Sequence, residues 1–235
     1  MKRFFVCLVA VVLIPISGCA GESPVGSENA RTSSSSEWDP DSWKSDIEIP
    51  PKFTSEEEKL AFRKRWLERN AETIGVTNPP DIALVEWMNS PRADDEKNAE
   101  CLRSKGYSAE VVPEGGIAFD PPIPEAQREA FGMADYECQS MYFPNPEFLA
   151  DFTEDQLRVQ WDYWDEYYIP CLATHGFVVD TSERPARETY ATTFYSDAAN
   201  RWWPDNNNEL YFQIPPEVMK VCPETPPITE FYGID

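Results

Sequence analysis

Histidine is almost missing: one residue, His175, serves a chain of 235. Without a C-x-x-C pair or a second imidazole, a structural zinc site lacks its usual donors, and no metal is expected. The H-E-x-x-H pair, the G-x-S-x-G elbow, the phosphate-binding glycine loop and the dinucleotide glycine fingerprint are absent too. The commonest hydrolase and nucleotide-dependent classes lose their signatures, and no cofactor is implied. Basic residues are scarce, with 20 Lys and Arg against 42 Asp and Glu and a formal net charge of −22. So acidic a surface repels phosphate backbones and anionic headgroups, which argues against nucleic acid and against direct docking on lipid. The many carboxylates supply by chance the spacing a glycosidase uses, so they are no evidence for one.

The N-terminus is distinctive. Met1-Lys2-Arg3 precedes the apolar run Phe4 to Ile14, a secretory signal too short to span a bilayer. Ile16-Ser17-Gly18-Cys19 resembles the lipobox of bacterial lipoproteins. The resemblance implies cleavage of residues 1–18, a diacylglyceryl group on the Cys19 thiol and an anchor in the cell membrane, with the protein on the extracytoplasmic face. Two acyl chains hold stably where one holds marginally. Loss of Lys2 and Arg3 takes the net charge from −22 to −24. Residues 19–52, rich in Ser, Glu, Asp, Pro and Gly, are expected to be a disordered tether with a reach of about 30 Å.

Twenty-two prolines break the rest into short elements. Thr54 with Glu57 has the form of a capping box, and Leu60, Leu67, Ala71 and Ile74 form the apolar face of a first helix that stops at Gly75. "DIALVEWMN" predicts a short second helix, and residues 93–105 a third. "TEDQLRVQWDYWDEYYIPCLATHG" predicts the longest, capped by Thr153 and Gln156 and stopped by Gly176. Leu157, Trp161, Trp164, Tyr168 and Leu172 line its apolar face, and Pro170 should kink it or leave one turn beyond. "YSAEVVPEGGIAFDPP" predicts a β-hairpin around Gly115-Gly116.

One pattern occurs twice: "CLRSKGY" from Cys101 and "CLATHGF" from Cys171. Cys7 leaves with the signal and Cys19 is lipidated, so Cys101, Cys138, Cys171 and Cys222 remain, with three pairings open. The repeat favours Cys101–Cys138 and Cys171–Cys222, since each copy then closes its own loop. His175 and Lys105 both precede the glycine stop, where a basic group suits the carboxyl end of a helix. The expected fold is α+β: short helices with small β-hairpins, two related disulfide-stapled modules in one compact body. Residues 53–150 carry the first helix and first module, and 151–235 the second.

"PPDIALVEWMN", "AECLRSKGY", "QLRVQWDYWDEYYIPCLATHGF", "ERPARETYATTFY" and "VCPETPPITEFYG" together resemble a family of actinobacterial lipoproteins with paired disulfide modules. The resemblance implies an address and an architecture, and carries over no catalytic residue or ligand. Trp202 and Trp203, with Tyr163 and Trp164, are the candidate ligand platform, suited to the apolar face of a sugar. Asp205, Asn207 and Glu209 alternate like calcium ligands but lack the glycine and final glutamate of an EF-hand. The leading expectation is a non-enzymatic surface lipoprotein that binds envelope glycan or a membrane-associated protein. The alternative is an enzyme acting on cell-envelope material.

Overall fold

Capping begins one residue later than Thr54. In the computed structural model, which describes residues 38–90, 92–112, 115–204 and 210–234, Ser55 caps helix α1 (Glu56–Thr73) and Glu58 closes the box. The Glu58 carboxylate accepts from the backbone N–H groups of both Thr54 and Ser55. The inward stripe of α1 is Arg63, Leu67 and Ala71. Leu60 and Ile74, expected inside, face outward. Arg63 is tolerated in the interior because its guanidinium donates to the carbonyls of Ser140 and Ile82.

"DIALVEWMN" forms a strand rather than a helix. β1 (Glu86–Met88) pairs in parallel with β4 (Tyr142–Pro144), with Trp87 opposite Phe143. Partner carbonyls and amides on either side extend the pairing, from Val85 N–H to Met141 and from Asn145 N–H to Met88. Between these strands lie α2 (Ala93–Ser104), the hairpin of β2 (Ala109–Val111) and β3 (Ile117–Phe119), and α3 (Arg128–Met141). The hairpin turns at Gly115-Gly116 as expected, both at positive φ.

α4 (Glu154–Tyr163) carries the Thr153–Gln156 capping box. It runs through a wider π turn, Trp164–Tyr168, into α5 (Ile169–Thr174). Pro170 explains the widening: it has no N–H to offer one turn back, and Ile169 N–H reaches instead to the Trp164 carbonyl. The single turn expected beyond Pro170 is present. α6 (Arg187–Thr193), α7 (Pro216–Val221) and α8 (Ile228–Tyr232) complete the body.

The two copies of the repeat end identically. Tyr107 N–H bonds the Leu102 carbonyl and Gly106 N–H that of Arg103; Phe177 bonds Leu172 and Gly176 bonds Ala173. Each is a Schellman stop, with glycine at positive φ, the leucine carbonyl taken up and an aromatic following. Disulfides Cys101–Cys138 and Cys171–Cys222 staple these corners, each with a Cα–Cα separation of 5.7 Å. The body is therefore α+β with two related stapled modules, as the repeat suggested.

Residues 38–52 correct the latter part of the expected tether, whose residues 19–37 lie outside the described residues. Trp43 and Ile49 are buried, and Trp38 and Ile47 pack on the same core. The Trp43 ring lies edge-on to Tyr163 at 5.1 Å, and its Nε1–H donates to Glu166 at 3.0 Å. Lys44 and the Ser45 amide both bond the Glu230 carboxylate. Apolar anchors spaced among acidic residues escape an average over composition, but two indoles and two isoleucines bury enough surface to order this arm.

Candidate functional site

The aromatic platform expected from sequence is core. Tyr163 and Trp164 are fully buried and Trp202 is 2% exposed. The Tyr163 hydroxyl and Trp164 Nε1–H donate to the carbonyls of Pro223 and Glu224, both at 2.8 Å. Trp202 and Trp203 stand edge-on to Trp164 at 5.6 and 5.3 Å. The Arg184 guanidinium, 3.8 Å above the Trp161 ring, lies 5.1 Å from that of Trp202. Trp203 is half-buried in the same cluster. Packing accounts for the platform rings, and among them only Trp203 keeps part of its surface exposed. Asp205, Asn207 and Glu209 lie outside the described residues, as does Cys19.

His175 is exposed at the end of α5. One of its ring nitrogens lies within 4.8 Å of the sulphurs of Cys171 and Cys222. Those sulphurs are joined in a disulfide and have no thiolate to offer a metal.

A cavity of about 480 Å³ sits in the first module instead. Helical periodicity builds two of its walls: α2 presents Asp94, Asp95 and Asn98, and α3 presents Phe131, Asp135 and Gln139, four residues apart along one face. The Cys101–Cys138 bond fixes these helices against each other. Strand alternation turns Ile117 and Phe119 of β3 to the same space, while Trp66 of α1 and Phe143 of β4 close the far side. Phe119 meets Phe131 edge-to-face at 4.9 Å, and Trp66 meets Phe143 in the same way at 5.2 Å.

The polar groups are mostly acceptors. Asp95 holds the hairpin tip through Gly116 N–H at 2.8 Å. Burial pushes the carboxyls of Asp94 and Asp135 up from their ordinary values; neighbouring Asp95 adds to the shift at Asp94, and a bond from Gln139 opposes it at Asp135. Gln139 is committed at both ends, donating to Asp135 and accepting from Asn70. Asn98 is 5% exposed, and its Oδ1 is buried with no hydrogen-bond partner among the described residues. No lysine, arginine or histidine is among the described residues that line the cavity.

Sequence reasoning missed this site. Its signals were the i,i+4 pairs Asp94–Asn98 and Asp135–Gln139, which mean nothing until the staple brings the two helices together. No protein-family model, curated protein or solved structure matches the chain.

Proposed function

We propose that this is a lipid-tethered, non-enzymatic binding protein of the extracytoplasmic face of the cell membrane, with the first-module cavity as its ligand site. One observation carries the binding half of the reading. A space in the size range of small-molecule pockets joins four aromatic rings to carboxylates and amides drawn from separate elements. Its lining has no serine, cysteine, lysine or histidine among the described residues to serve as nucleophile with a base beside it. The address rests on the signal, the lipobox-like run ending at Cys19 and the resemblance to actinobacterial lipoproteins.

A palmitate analogue fed to cells should label the wild-type protein and leave Cys19→Ala unlabelled. Equal labelling of both removes the anchor. An enzyme acting on envelope material is favoured by a different observation, two carboxyls of raised pKa facing one cavity, as a general acid requires. Release of soluble fragments from purified cell wall, lost in Asp135→Asn, would decide for that reading.

A further inference from the structure

We infer that the cavity takes a small organic cation, a protonated or quaternary amine on an apolar body; this rests on the cavity being a ligand site. Three aspartates from two helices line it, and among the described lining residues no cationic side chain answers them. Acidic residues in the first turn of α2 have an ordinary use in complementing the helix dipole. That account fails for Asp135, which sits in the second half of α3, and for the buried, unpartnered oxygen of Asn98.

The ring arrangement supplies the complementary half. Two edge-to-face pairs, Phe119 with Phe131 and Trp66 with Phe143, border the same space as the carboxylates. Aromatic faces carry negative potential and attract an ammonium group, while the remaining apolar surface accepts its carbon body. An anion would meet three carboxylates in a half-enclosed space of low dielectric. A sugar would stack on the rings but bring no charge to offset the half-buried aspartates. Calcium needs six to eight oxygen ligands, and most of this lining is carbon. A cation, by contrast, donates hydrogen bonds, and Asn98 Oδ1 and the aspartates are acceptors. The acidity of the whole chain also draws cations toward it.

The test titrates the full-length lipidated protein in neutral detergent with phenethylamine, 2-phenylethanol, phenylacetate, N-acetylglucosamine and calcium chloride, read by ligand-observed NMR and calorimetry. Phenethylamine should bind, at least about tenfold tighter than 2-phenylethanol, with phenylacetate silent. Asp135→Asn and Asp94→Asn should each weaken it about tenfold without lowering the melting temperature, and Phe131→Leu about threefold or more. Equal binding of amine and alcohol, or tighter binding of the sugar or of calcium, overturns the cation and leaves the cavity a ligand site. Silence of all five overturns both.

Discussion

Asp135 and Asp94 are held in the cavity at a cost to stability. Burial raises the pKa of each in the folded state, so the native protein holds these protons more tightly than the unfolded chain does. Their favourable contribution is therefore present below the ordinary carboxylate pKa and is lost as pH rises through the folded value. At neutral pH both are a burden, which Asn removes while keeping shape and an acceptor oxygen. Asp135→Asn should therefore gain about 1 kcal/mol, or roughly 2 to 4 °C in Tm by calorimetry at pH 7. A fall in Tm would show that the carboxylate is structural, held by its bond from Gln139. Arg63 shows the opposite arrangement: a buried charge satisfied by two backbone carbonyls, with its solvation replaced by carbonyl bonds. The sequence did not reveal this role, since a charged residue at an inward helical position looks like a break in the apolar stripe.

At the scale of elements, the repeated corner was readable because every residue in it has a local reason. Leucine packs, glycine adopts the left-handed conformation, and the aromatic follows the turn. Glycine's role can be tested by comparing two stops. Gly176 has φ +87° with nothing within 4 Å of an added Cβ, whereas at Gly233, φ +65°, that Cβ would lie 1.9 Å from the Ile49 carbonyl oxygen. Gly176→Ala should cost about 1 to 2 kcal/mol from the backbone alone. Gly233→Ala should cost more, because the arm must also move, and should expose Trp43 to a fluorescence quencher. Equal losses in a denaturant titration would show that the arm yields freely. The error at "DIALVEWMN" had another cause: a short apolar run suits strand or helix, and only the presence of β4 alongside decides.

For the whole molecule, two staples and a belt of buried tyrosines set the limits of stability. The disulfides close loops with separations of 37 and 51 residues, each contributing about 4 kcal/mol on the chain-entropy account. Tyr167 is pushed up to about 12 by burial and by nearby Asp39 and Asp41, and Tyr232 to about 12 by burial. Tyr163 and Tyr190 are raised further, mainly by burial. A phenol whose folded pKa exceeds the unfolded value of 10 contributes stability below that value and loses it as pH rises toward the folded one. Alkaline unfolding is expected between about pH 10 and 12, with tyrosinate absorbance and circular dichroism changing together. A protein that stays folded while all its tyrosines ionise near pH 10 would contradict the burial of Tyr163, Tyr167 and Tyr190.

The sequence by itself determined what rests on neighbours along the chain: the glycine stops of the repeated corners, the Thr153–Gln156 cap and the glycine hairpin; of three open cysteine pairings the repeat favoured the one the structure shows. Tertiary structure decided which surfaces are left for a ligand. Trp202, Tyr163 and Trp164 were the rings that drew attention, but large rings go wherever they remove the most surface from water, and here that is the core of the second module. The cavity forms only because a disulfide sets α2 against α3 and a parallel strand pair brings Phe143 behind them. Its residues come from segments dozens of positions apart, and no local pattern in the chain links them.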